Sequence, residues 1–253
     1  FGKRDVGRSL DATADAIFRI ASMTKPVTSL AVMMLYDDGR IALDDAIVNR
    51  LPHYEQPRVL TNAHGSTASY DSRPAARPIT VRDLLTHTSG MAYSFFHPVL
   101  ARLSAAGKSE LDLPLLHDPG KRWTYGPSTA LLGQMVAHLS GTTLDDFCRK
   151  RIFDPLGMPD TAYAVPTDKR ERVVTLHQRE AGGTLAEKVN PPTVQSRGRG
   201  DDGLFSTAGD YAAFLQLFLN GGRRGAARPV SESAIRLMMT NQIGDLVIER
   251  QSA

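Results

Sequence analysis

The chain has 253 residues, a formal net charge of +3, and 42% hydrophobic and 23% charged residues, the balance of a globular protein long enough for one large domain or two intertwined ones. No apolar run reaches the ~20 residues a membrane-crossing helix needs, and the basic side chains are scattered rather than interleaved with aromatics as along a nucleic-acid groove. Cys148 is alone, which excludes an internal disulfide, and the seven histidines form no H-E-x-x-H or other ligand spacing, so neither a metal nor another cofactor is expected.

The opening, Phe1-Gly2-Lys3-Arg4-Asp5, does not read as a signal peptide. Ala16 to Ile20 is a short candidate strand. From Met23 to Tyr36 apolar residues recur at Val27, Leu30, Ala31, Met34 and Leu35, the period of an amphipathic helix, which Asp37-Asp38-Gly39 closes with a glycine exit. Gln56 to Arg77, rich in Ser, Ala, Pro and Arg, reads as an extended surface excursion. Thr80, with Asp83 three residues on, offers a cap for a short helix. Lys121 to Tyr125 is a second candidate strand. Thr129 to Leu139 and Leu144 to Phe153 follow as helices, the latter stopped by Pro155 and Gly157. Cys148 shares a face with Leu144, Phe147 and Ile152 and reads as a small core residue. Arg172 to Leu176 is a third short strand candidate. Asp210 to Leu219 forms a helix that ends at Asn220-Gly221-Gly222, and Ser231 caps a last one through Met239.

The chemistry-bearing motif is Ser22-Met23-Thr24-Lys25, an S-x-x-K. At a helix start, residues three apart share a face, so the amine of Lys25 reaches the hydroxyl of Ser22. Pro26 supports the register, because proline is tolerated in the first turn, where amides lack helical partners. The positive helix end then lies at the serine, where an oxyanion would form. An amine serves as a base where burial and a positive helix end weaken its hold on a proton. A tyrosine hydroxyl beside the pair would complete a proton relay.

The run Phe18-Arg-Ile-Ala-Ser22-Met-Thr-Lys25-Pro26-Val-Thr-Ser resembles the nucleophile region of the serine β-lactamase-like and penicillin-binding-protein-like superfamily: class C β-lactamases, DD-peptidases and their esterase relatives. Further resemblances follow in the family's order. They are Gly39-Arg-Ile-Ala-Leu-Asp44-Asp45, Leu84-Leu-Thr-His87-Thr-Ser-Gly-Met91, Trp123-Thr-Tyr125-Gly-Pro-Ser-Thr-Ala-Leu-Leu-Gly133, Pro155-Leu-Gly-Met158 and Gly203-Leu-Phe-Ser-Thr-Ala-Gly-Asp210-Tyr211. Together they span about Asp15 to Gly222. The resemblance implies an α/β (α+β) fold of the β-lactamase/transpeptidase type, a helical region beside an antiparallel sheet flanked by helices. It also implies Ser22 as nucleophile, Lys25 as its base and Tyr125 as the relay tyrosine, acting on a small-molecule ester or acyl substrate. Cytoplasm is the expectation from the family's esterases, with the periplasm left open; oligomeric state is not implied.

Two departures shape the expectation. The β-lactamase and peptidase members carry Tyr-x-Asn, whereas this chain has Tyr125-Gly126-Pro127. The missing asparagine amide helps to hold an acylamide substrate, so its loss favours ester cleavage, as in the family VIII carboxylesterases and related acyltransferases, over β-lactam or peptide turnover. The family also continues past Glu249-Arg-Gln-Ser-Ala253 with a strand bearing a third motif, K-T-G or its His or Trp equivalents, and begins with elements before Phe1-Gly2-Lys3-Arg4. The expectation is one β-lactamase-like serine hydrolase domain over residues 1–253 that lacks N-terminal strands and the third-motif strand, its sheet largely incomplete. A genuine truncation would cost an oxyanion donor, worth ~10²–10³ in turnover.

Two other readings compete. Gly126-Pro127-Ser128-Thr129-Ala130 is one residue from G-x-S-x-G, and His177 follows with Asp145, Asp146 or Asp154 between, the chain order of an α/β-hydrolase. A non-catalytic scaffold of the β-lactamase-like fold is the other. Phe95 and Phe96 are read as core packing rather than as an acyl pocket.

Overall fold

The computed structural model describes residues 2–64, 69–188 and 198–248. The chain's last five residues, Glu249 to Ala253, lie outside these. Strands β1 (Lys3–Asp5) and β2 (Leu10–Asp11) form an antiparallel pair, and β3 (Phe18–Arg19) leads through a 3₁₀ turn at Ala21–Met23 into α1 (Thr24–Asp37). The candidate strand at Ala16 to Ile20 is therefore trimmed to two paired residues, with Ile17 adding a parallel bridge to Val173.

Helix α1 is the axis of the core. The apolar face anticipated from its periodicity is buried, but so are Thr28, Val32 and Met33 on its other sides. The helix is thus wrapped rather than laid on a surface. Each fully buried Val, Leu or Met contributes roughly 1.5–3 kcal/mol, so this one element anchors much of the fold. Gly39 takes φ +69° at the exit, the left-handed closure its position implied.

The described residues of Gln56 to Arg77 are mostly exposed, as a surface excursion, but they are ordered. The segment contains an antiparallel hairpin, β4 (Val59–Ala63) with β5 (Tyr70–Arg73), tied down by the Arg73 fork on Asp118 at 2.6 and 2.9 Å. Helix α2 (Val81–Leu85) starts with the capping box read from Thr80 and Asp83. The buried Asp83 also takes a bidentate Arg77 guanidinium at 2.6 and 2.9 Å. Burial pushes the Asp83 carboxyl up, but Arg77 and the Thr80 amide outweigh it and hold the group below the ordinary carboxylate range.

Helix α3 (Pro98–Ala105), capped by His97, buries Val99, Leu100 and Leu103 on one face. Helix α4 (Ser128–Ser140) crosses α1 and matches its expected span within a residue. The helix expected from Leu144 to Phe153 is compound: α5 (Leu144–Cys148), a π turn over Arg149–Phe153, and α6 (Asp154–Leu156). Pro155 sits inside the last turn instead of stopping it. The wider π turn accommodates a residue that lacks an amide and crowds the preceding carbonyl, and Gly157 in the left-handed region ends the helix. Cys148 is fully buried in the main core, and burial raises its thiol well above the ordinary range.

Lys121 to Tyr125 is irregular, and Arg172 to Leu176 forms no named strand, contributing the bridge at Val173 and backbone bonds from Thr175 to Arg4 and from Lys188 to Leu176. A hairpin, β6 (His177–Arg179) with β7 (Leu185–Glu187), follows. Strand β8 (Phe205–Ser206) pairs antiparallel with β3 in the register Phe18↔Ser206, and Phe205 joins Ile17, Val165 and Val173 in a small apolar cluster. Helix α7 (Ala208–Leu219) is capped by Thr207 and begins two residues before the expected start. Helix α8 (Glu232–Met239) is capped by Ser231, whose amide and hydroxyl both donate to the Asp37 carboxylate at the end of α1. The architecture is mixed, helices around α1 with several two-stranded antiparallel sheets among the described residues. No helix there is long and apolar enough to cross a membrane.

Candidate active site

The turn that presents Ser22 is strained and held from several sides. Ala21 has φ +44°, a region that costs a residue with a Cβ about 1–2 kcal/mol. The Ile20 amide donates to Leu204 O at 3.0 Å, the Met23 amide to Ile20 O at 2.9 Å, and Tyr211 Oη to Met23 O at 3.0 Å. Ser22 thus lies in the 3₁₀ turn ahead of α1, not in α1 itself. The three-residue spacing still works, because a 3₁₀ turn has three residues per turn and stacks positions i and i+3. Ser22 is exposed, Lys25 is only 7% exposed, and Lys25 Nζ lies 3.1 Å from Ser22 Oγ in hydrogen-bond contact.

The amine has a second anchor. Lys25 Nζ donates to the main-chain oxygen of Asp201 at 2.9 Å. It sits 4.8 Å from the centre of the Tyr125 ring and 5.5 Å from that of Tyr93. The structure therefore gathers all three sequence-chosen residues, Ser22, Lys25 and Tyr125, around one amine.

Tyr125 is delivered by an irregular segment packed on the His87 loop. The Thr124 amide donates to His87 O at 2.8 Å, and Gly126 presses so closely on Met91 that a Cβ there would stand 2.4 Å from the Met91 carbonyl oxygen. His87 has φ +58°, and its ring lies 5.0 Å from that of Tyr125 and 5.8 Å from that of Trp123. Burial, reinforced by the charge of Lys25, pushes the His87 imidazole down to about 4. It is accordingly neutral at physiological pH, and its Nδ1 meets no hydrogen-bond partner among the described residues.

Tyr93 is a residue that sequence reasoning passed over, although it lies just beyond the His87-Thr-Ser-Gly-Met91 run. Its Oη donates to Asp201 Oδ2 at 2.9 Å. Burial, with the Asp201 carboxylate beside it, pushes the Tyr93 phenol upward. Phe95 stacks on Tyr93 with ring centres 5.4 Å apart and is 58% exposed, so core packing does not describe it; Phe96, half-buried, leans on Phe95 at 4.5 Å. A cavity of about 440 Å³ lies beside the site, its lining including Lys25, Pro26, Ser29, Met33, His87 and Phe218.

The α/β-hydrolase reading fails on geometry. Ser128 is fully buried in the first turn of α4, no strand precedes it, and its hydroxyl is paired with Ser89 Oγ at 2.9 Å. A nucleophile elbow needs its hydroxyl exposed above a sheet and free to meet a histidine.

The sequence matches the Beta-lactamase family over residues 1–250. It is 36% identical over 258 aligned positions to an uncharacterized protein of Mycobacterium tuberculosis, covering 96% of this chain and 64% of that protein. It is 33% identical to the lovastatin esterase of Penicillium rubens, covering 81% of this chain and 55% of the esterase. Its fold superposes on a variant of simvastatin synthase from Aspergillus terreus with a TM-score of 0.85 at 27% identity, covering 95% of this chain and 62% of that structure. The chain thus spans less than two thirds of the length of these relatives, whose wider group includes both an esterase and methylbutanoyltransferases. With a family match across nearly its whole length, the chain belongs to the Beta-lactamase family, among whose sequence relatives are an esterase and an acyltransferase.

Proposed function

We propose that this protein is a serine enzyme that cleaves carboxylic esters through an acyl-enzyme on Ser22. The observation that carries the reading is the buried Lys25 amine 3.1 Å from an exposed Ser22 hydroxyl. The neutral amine accepts the serine proton as Oγ attacks the ester carbonyl carbon. The Ser22 main-chain amide, at the head of α1, offers one donor to the resulting oxyanion. Collapse of the tetrahedral species breaks the ester C–O bond, and the proton returns through Lys25 and Tyr125 to the departing alkoxide. Water, deprotonated by the same pair, then attacks the acyl-enzyme and releases the acid.

Tyr93 donates its hydroxyl proton to Asp201. Tyr125, its ring 4.8 Å from the Lys25 amine, is the phenol assigned to the relay. Pro127, the N-cap of α4, stands where an amide-binding asparagine would be and has neither a side-chain amide nor a backbone donor, which favours esters over β-lactams and peptides. Acyl transfer is a second reading, favoured by the transferases among the sequence relatives. It uses the same acyl-enzyme with an alcohol in place of water. Replacing Ser22 with Ala tests both: hydrolysis of p-nitrophenyl butyrate and transfer of its acyl group disappear while the fold survives, and full retained activity in that variant refutes the assignment.

A further inference from the structure

Asp201 is 1% exposed, and its buried carboxyl group is met by three side-chain donors. Arg199 grips the carboxylate with Nε at 3.0 Å and Nη2 at 2.9 Å, and Tyr93 Oη donates to Oδ2 at 2.9 Å. A buried carboxylate costs several kcal/mol unless it is paired and hydrogen-bonded in this way. What the neighbouring amine receives is not that carboxylate but the main-chain oxygen of the same residue.

The loop that carries Asp201 is seated with little freedom. Leu204 N donates to Thr24 Oγ1 at 3.2 Å, Arg19 pairs with Asp202 at 3.0 Å, and Gly200 is wedged so tightly on α4 that a Cβ would come within 2.1 Å of Thr129 O. Arg199 bridges to Asp202 across the turn. One end of the loop is therefore fixed to the start of α1 and the other to α4.

We propose that Asp201 is a positioning residue for Lys25. With its carboxylate held by Arg199 and Tyr93, its carbonyl takes one hydrogen of the amine and turns the nitrogen onto Ser22, while the negative charge is kept occupied elsewhere. This rests on the assignment of Lys25 as the base of Ser22. If Arg199 lets go, the carboxylate is free to turn toward the amine and hold it charged. The groups facing the amine are Ser22 from the preceding turn, Tyr93 and His87 from the loop after α2, Tyr125 from the segment before α4, and Asp201 with its partner Arg199.

The test follows the rate at which a fluorophosphonate labels Ser22, read by intact mass from about pH 5.5 to 9.5, beside kcat and KM for p-nitrophenyl butyrate. Wild type, Ser22→Ala, Arg199→Gln, Arg199→Lys and Asp201→Asn are compared. Wild type labels and Ser22→Ala does not. Arg199→Gln labels about tenfold more slowly at pH 7, its acid limb displaced upward by about one pH unit. Asp201→Asn loses about tenfold in kcat with KM within about twofold, and Arg199→Lys recovers part of the rate. Labelling of both neutral variants at the wild-type rate with an unmoved acid limb overturns the role of Asp201 and leaves the Ser22 assignment standing. Labelling of Ser22→Ala, or none in wild type, overturns both. If Arg199→Gln does not fold, Arg199→Lys carries the same pH comparison, since it keeps the charge but loses the two-pronged grip.

Discussion

Replacing Lys25 with Met removes the amine and keeps an unbranched apolar stem of similar reach. The amine touches Ser22 Oγ at 3.1 Å, and a positioned general base contributes about 10²–10⁴ in rate, or roughly 3–5 kcal/mol at 1.36 kcal/mol per tenfold. The effect on stability should be much smaller. Asp201 O loses its donor, at about 1–3 kcal/mol for an unsatisfied buried group. Against that, the Met side chain buries no polar nitrogen and so carries no desolvation cost of its own. The two nearly cancel, leaving a change within about 2 kcal/mol and a midpoint shift within about 8 °C for a chain of this size. The assay pairs kcat for p-nitrophenyl butyrate with thermal unfolding by circular dichroism. A variant that keeps more than a tenth of wild-type kcat at neutral pH would show that the amine is not the base. A variant whose activity falls only in step with a midpoint lowered by more than about 10 °C would make Lys25 a structural post instead.

Three other outcomes are expected. Tyr125→Phe lowers kcat by about 10²-fold or more, whereas Tyr93→Phe costs under about tenfold, because Arg199 still holds Asp201; equal losses would contradict the division of labour between the phenols. Gly126→Ala drives a methyl toward Met91 O, 2.4 Å from the ideal Cβ position, and the displacement of Tyr125 lowers kcat up to about 10²-fold, with wild-type kcat as the contrary result. His87 is depressed to about 4 in the folded chain against ~6.5 unfolded, so the unfolded state takes up the proton first. Stability is therefore full above about pH 6.5, falls by roughly 2–3 kcal/mol as pH drops toward 4, and levels off below. His87→Phe should flatten that part of a midpoint-against-pH curve, and an unchanged slope would place the titration elsewhere.

Much of the site was legible from local order alone. Ser22 and Lys25 are three residues apart, and any tight right-handed turn stacks them, whether its first turn is α or 3₁₀. Thr80 with Asp83 and Ser231 ahead of Glu232 are local hydrogen-bonding patterns, and both cap their helices as read. What misled were elements whose cause is remote. Lys121 to Tyr125 has the residues of a strand but lies against the His87 loop without a ladder partner. Gln56 to Arg77 reads as loop by composition, yet contains a hairpin whose remote anchors are the bridge from Val59 to Leu115, the backbone bond from Leu60 to Leu115 and the Arg73–Asp118 pair.

The amino-acid order by itself carried the family resemblance, the placing of Ser22 and Lys25 on one turn and most of the helices, the last two because they depend on side chains within one or two turns of each other. Only the tertiary structure decided that α1 is buried on several sides, that Phe95 is exposed, and that Asp201, 176 positions from Lys25, presents its main-chain carbonyl to the amine. Those outcomes are contacts between segments far apart in the chain. They depend on how whole elements pack, which no local pattern encodes.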